Sequence, residues 1–122
     1  MSHFTKINTK ITDVECLKLA LEDLGYTYRE GKVRVRGWRG LSEEVDLVVE
    51  TGTPYNIGLR KTPQGVYEIV ADWWGVETRT GIAQARFLRE LNQRYAYHKV
   101  LTEVKKQGFS VAEDEVTSDN TI

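Results

Sequence analysis

The sequence predicts an α+β domain, an antiparallel sheet of five to six strands with two helices on one face, in the order β-α-β-β-β-β-α-β. Three observations carry this. From Tyr26 to Trp73 apolar residues recur every second position, the flanking stretches keep helical spacing, and the turns between the central strands are too short for crossovers. At 122 residues and 40% apolar content the chain fits one domain, residues 1–112, followed by an acidic segment, 113–122.

Residues 3–11 alternate, with Thr5, Ile7, Thr9 and Ile11 on one parity, as in a half-buried first strand. Thr12 and Glu15 have capping-box spacing, which starts a helix over 13–24. Val14, Leu17, Leu21 and Leu24 form its apolar stripe, and Gly25 supplies a left-handed stop. Breakers at 37–42, 51–54 and 61–65 then divide the central region into four strands. Their inward parity is Val33 and Val35, then Val45, Leu47 and Val49, then Tyr55, Ile57 and Leu59, then Tyr67, Ile69, Ala71 and Trp73. Residues 76–81 read as a loop, with Thr80 capping a second helix over 82–107. That helix has a broad apolar face at Phe87, Leu88, Leu91, Tyr95, His98 and Leu101, and a second strip at Tyr97, Val100 and Val104. Phe109 to Ala112 reads as a last strand.

Asp72-Trp73-Trp74-Gly75 stands out, because adjacent tryptophans in a strand face opposite sides of the sheet. Trp73 joins the core, and Trp74 points outward if the strand runs past Asp72. The outward ring is either capped by the following loop or forms a docking surface with Trp38 and the Tyr97, Val100 and Val104 strip, aromatics and arginine being the residue types of binding hot spots.

Composition narrows the chemistry. With 17 basic and 18 acidic side chains the formal charge is −1, so nucleic acid or anionic lipid is drawn only by a local patch. One cysteine and two histidines cannot assemble the usual zinc frameworks or an internal disulfide, and no apolar run has the length of a membrane span. Cys16 has no neighbouring base and reads as a small apolar residue. His3, His98 and Asp72 lack metal-ligand spacing, so neither a metal nor a cofactor is expected, and no catalytic residue is assigned.

Two basic elements remain. Arg29, Lys32, Arg34, Arg36 and Arg39, offset by Glu30, lie beside Trp38, the mixture used by single-strand nucleic-acid binders. Strand parity also sets Arg34 and Arg36 against Glu44 and Asp46, which favours a cross-strand charge ladder. In the second helix, Arg94 and His98 fall at i, i+4 within or beside the apolar stripe. A histidine there bonds a carbonyl or carboxylate as a structural group, or serves as a switch or anion site.

Three blocks carry a resemblance: Met-Ser-His-Phe-Thr-Lys-Ile at the start, Tyr67-Glu68-Ile69-Val70-Ala71-Asp72-Trp73-Trp74-Gly75, and Gln93-Arg94-Tyr95-Ala96-Tyr97-His98-Lys99-Val100. Over nearly the whole chain the sequence resembles a conserved hypothetical family of cyanobacteria and algal plastids that includes the hypothetical chloroplast reading frame thirty-five product. The resemblance implies a cyanobacterial, plastid or cyanophage source and a cytosolic or stromal location, and it lends no activity, cofactor or catalytic residue. Longer relatives add another strand, which implies an incomplete last hairpin and an open sheet edge that another chain can pair.

The reading that follows is a non-enzymatic protein-binding or adaptor protein, with Trp38, Trp74, Arg94, Tyr97, His98, Val100 and Val104 as its partner surface. One alternative is nucleic-acid binding through the basic hairpin or the second helix. The other is an enzyme that handles a small anionic substrate with Arg94, His98 and Asp72.

Overall fold

A computed structural model describes residues 3–108. The expected last strand and the acidic segment lie outside the described residues. The elements are β1 (Thr5–Asn8), α1 (Val14–Asp23), β2 (Thr27–Arg36), β3 (Ser42–Glu50), β4 (Ile57–Lys61), β5 (Tyr67–Ala71), α2 (Trp73–Thr80) and α3 (Gln84–Lys106), with a 3-10 turn at Trp38–Gly40. The strands form one antiparallel sheet in the order β1-β5-β4-β3-β2. The α+β class and the antiparallel sheet stand as read from the sequence.

On one face of the sheet Leu47, Ile57, Leu59, Ile69 and Ala71 meet Leu17, Ala20 and Leu21 of α1, Trp73 and Val76 of α2, and Phe87 and Leu91 of α3. Burying this apolar surface is the main favourable term in folding. The cap of α1 is Asp13, one residue beyond the expected Thr12, and its side chain accepts the N–H groups of Glu15 and Cys16. The Thr12 N–H donates instead to the Tyr95 hydroxyl at 3.2 Å.

The opposite face is covered by the sheet itself. The β3–β4 ladder ends at the Leu47–Leu59 pair, and beyond it Asp46 Oδ2 accepts the Lys61 N–H at 2.7 Å. From there the distal half of the β2–β3 hairpin leaves β4 and folds across the sheet, helped by a bulge between Glu30 and Val33. Val35 and Val45 therefore join Val48 and Val70 in a second core, with Phe4 and Val33 packed against it. This corrects the parity reading, which placed Val35 and Val45 on the helix side, since alternation holds only while the strand stays unbent.

Gly58 makes the crossing possible: a Cβ there would lie 2.9 Å from Val35 Cβ and 3.0 Å from Val45 Cγ1. Four charges fasten the bent hairpin to the face it covers. Glu43 pairs with Lys6 at 3.1 Å and with Arg60, and Arg60 Nε donates to Glu68 at 2.8 Å. The expected charge ladder is present only as backbone register. Arg34 lies opposite Glu44 in the ladder, but its guanidinium donates to Ser42 Oγ at 3.0 Å, and Arg36 lies opposite Ser42.

The second correction concerns the tryptophan pair. The strand ends at Ala71, and residues 73–80 are a helix rather than a strand end and loop. Thr80 closes α2, while α3 starts after Ala83. One indole still faces in and the other out, now because consecutive helical residues diverge by about 100°: Trp73 is 6% exposed and Trp74 56%.

Gly75 brings α2 against Tyr55, whose ring carbons would lie 2.0 to 2.5 Å from an added Cβ. Arg79, one turn on, sits over the same ring. Replacing Gly75 by alanine is predicted to lower stability by about 2 kcal/mol or more, because the clash exceeds the roughly 1 kcal/mol that alanine gains in helix propensity. Urea denaturation of the variant measures this. A variant as stable as the parent would contradict the contact.

Candidate functional site

The contacts divide the seven residues singled out from the sequence into two groups. The first lies at a corner built on Asp72, whose side chain is fully buried. Asp72 Oδ1 accepts the Gly75 N–H at 3.3 Å as the cap of α2, and Oδ2 accepts the Trp38 N–H at 3.0 Å. One side chain thus joins the hairpin tip to the helix that carries Trp74. Trp38 is half-buried against the helix-side core, and the Arg39 guanidinium lies 4.5 Å from its ring centroid.

The second group lies where α3 crosses α1. Arg94 donates from Nε and Nη2 to Asp23 Oδ2 at 3.0 and 2.7 Å, and His98 Nε2 lies 2.6 Å from the same oxygen. The Arg94 guanidinium also sits 4.5 Å from the Tyr97 ring centroid, and the Tyr97 and His98 rings meet edge to face at 5.1 Å. Further along the crossing, the Tyr95 hydroxyl accepts the N–H groups of Thr12 and Asp13, Lys99 pairs with Asp13 at 3.5 Å, and Cys16 Sγ lies 3.5 Å from Thr102 Oγ1. Cys16 is 2% exposed, in the core as a small apolar residue. Val104 is half-buried, whereas Tyr97 and Val100 are 49% and 61% exposed.

Sequence reading missed Asp23, the acid that organises this junction. Its only sequence signal is a carboxylate in the last turn of a helix, where the macrodipole disfavours it, so a basic partner from elsewhere in the fold was required. The Arg94 hydrogen bonds hold the Asp23 carboxyl below its ordinary range, against a smaller upward push from burial and with further help from His98. The structural reading of His98, a ring bonded to a carboxylate, describes its geometry. The trio proposed for anion chemistry is not assembled as drawn: Arg94 and His98 converge on Asp23, while Asp72 is bonded to the backbone of Gly75 and Trp38.

A cleft of about 600 Å³ opens beside this junction, lined by Asn8, Thr9, Lys10, Ile11, Asn92, Tyr95 and Ala96. A second, of about 460 Å³, lies along the bent hairpin between Lys32, Glu43, Glu44, Asp46, Arg60 and Lys61. Among the described residues no group of three or more His, Cys, Asp or Glu side chains is placed to hold a metal ion, and no helix is long and apolar enough to cross a membrane.

Fold and site together define a small α+β protein in which Asp72 and Asp23 each join separate elements of the chain. The chain belongs to the family described as protein of unknown function, DUF1257, whose profile matches residues 20–122. It is 34% identical over 128 residues to a protein of Pyropia yezoensis called uncharacterized protein ycf35, with all of this chain and 93% of that protein covered. Proteins of the same description from Cyanophora paradoxa and Guillardia theta are 32% and 33% identical, again across all of this chain and 93% of theirs. The family resemblance read from the three sequence blocks is thereby confirmed. No solved structure matches the chain.

The Asp23 contacts set a dependence on pH. A carboxyl whose folded pKa is depressed contributes stability that is fully present above its unfolded value, about 3.9, and is lost as pH falls through the folded value. Asp13 and Glu43 are also held low: burial pushes each up, but hydrogen bonds outweigh it, from the Cys16 amide to Asp13 and from Lys6 and Arg60 to Glu43. Replacing Asp23 by asparagine is predicted to lower stability at pH 7 and to weaken its fall below about pH 4. Denaturant titrations from acid to neutral pH test this, and parallel curves for the two proteins would refute it.

Proposed function

We propose that the protein is a non-enzymatic binding or adaptor protein that takes a partner protein on the outer side of α3. One observation carries the reading: Tyr97 and Val100 are exposed on a helix whose inner side packs on the core and on α1. The Arg94 guanidinium against Tyr97 supplies an adjoining cation. An aromatic ring, an aliphatic side chain and an arginine in one place have the composition of a binding hot spot. Trp74, exposed on α2, is the second apolar group offered to a partner.

His98 and Arg94 support this surface from beneath in our reading. Their shared bond to Asp23 keeps α3 seated on α1, so Tyr97 is presented from a braced helix rather than a loose one. Preorganisation of this kind lowers the entropic cost of association. Such a protein works in a cyanobacterial cytosol or a plastid stroma.

Affinity purification from a cyanobacterial host with the parent chain, Tyr97→Ala and Val100→Asp tests the reading. A protein captured by the parent is predicted to bind both variants about tenfold more weakly or worse, as loss of a hot-spot residue requires. Circular dichroism establishes that the variants are folded. Equal recovery by folded variants would remove the α3 surface from consideration, and loss only with Trp74→Ala would move the site to α2.

A further inference from the structure

The fold of the β2–β3 hairpin leaves a cationic face. Val33 and Val35 turn toward the sheet, so Arg34 and Arg36 stand on the outer side, with Lys32 in the bulge and Arg39 at the tip, all exposed. Two of the acids on β3 have ionic partners elsewhere, Glu43 with Lys6 and Arg60 and Glu50 with Arg29, while Asp46 accepts the Lys61 N–H and keeps its charge. Glu44 stands opposite Arg34 in the ladder.

The tip adds a second observation. Arg39 has φ 53° and ψ 42°, the left-handed conformation, which is strained for any residue with a Cβ. Held there, its guanidinium lies over the ring of Trp38, a residue whose backbone N–H is bonded to Asp72. Backbone strain of this kind gathers at functional sites. Here it maintains a flat cationic and aromatic platform at the end of a row of positive charges.

We propose that this face binds single-stranded nucleic acid, with phosphates held by Lys32, Arg34 and Arg36 and a base stacked on the Arg39–Trp38 pair. Bases stack on aromatic rings and guanidinium planes in this way, and the backbone tracks a positive groove. An acidic protein surface or a simple polyanion would use the charges but not the stack. The site is separate from the α3 surface and does not depend on it.

Fluorescence anisotropy of a labelled oligothymidylate with the full chain, across a range of salt, provides the test. Saturable binding is expected, with log Kd rising with log salt at a slope of about 2, from roughly 0.7 per phosphate neutralised by three cations. Arg34→Gln with Arg36→Gln should weaken binding about tenfold or more and reduce the slope by about 1.4. Arg39→Gly should weaken it about fivefold or more, the scale of one lost stack, yet raise the melting temperature, because glycine adopts φ 53° without strain. Polyphosphate should compete more weakly than the oligonucleotide at equal phosphate concentration. A flat salt response, no saturable binding, unchanged affinity in the Arg34 and Arg36 double variant, or equal competition by polyphosphate would overturn the proposal.

Discussion

The buried side chain of Asp72 is the constraint on which the rest of the architecture depends. It ends β5, caps α2 through the Gly75 N–H, and takes the Trp38 backbone N–H from the tip of the β2–β3 hairpin. Buried polar groups are costly unless each finds a partner, so neither amide can move off without penalty. Gly37 lets the tip come this close: a Cβ there would lie 3.0 Å from the Phe4 ring and 3.1 Å from Asp72 Cβ. The orientation of both tryptophans follows, Trp73 onto Phe87 in the core and Trp74 into solvent.

A protein arranged this way has neither sheet face open. The helices cover one, and the bent hairpin covers the other, where Val48 and Val70 are fully buried. The surfaces left open are those of the helices, the strand edges and the hairpin's outer side. β2 is an edge strand, and its bulge and its cations also discourage unwanted pairing along that edge. At the α1–α3 crossing, Asp23 spends Arg94 and His98 on internal contacts. Exposed ion pairs are individually weak, so the value of this group lies in fixing how the helices cross.

How much of this the sequence revealed depended on how local each cause was. The four central strands, α1 and the long α3 were legible, because period two and period 3.6 are written in consecutive residues such as Ile57, Leu59 and Leu17, Leu21. α2 was not. Its opening residues, Trp73, Trp74, Gly75 and Val76, are poor helix formers, and the alternation of β5 ran straight into them, so only the Asp72 cap marked the change. The bend of the hairpin was hidden for a different reason. Parity assumes an unbroken strand, and what breaks it is the bond from Asp46 to the Lys61 backbone together with the space above Gly58. Of the candidate site, a His98 bonded to a carboxylate was one of the readings, whereas the exposure of Trp74 was left open, because it was argued from a strand running past Asp72 and the strand ends at Ala71. Asp23 was not foreseen, since its partners lie more than seventy positions away.

The Trp38–Asp72 bond also bears on how the sheet face is closed. Successive strands from β2 to β5 pair with their sequence neighbours, contacts that form after short loop closures. The corner joins residues 34 positions apart and has both of its ends only when β5 and α2 are in place. A hairpin that has not folded over leaves Val48 and Val70 bare on that side of the sheet. Exposed β surface of this kind is prone to aggregation, so the bend that seats Val35 and Val45 there also protects the sheet.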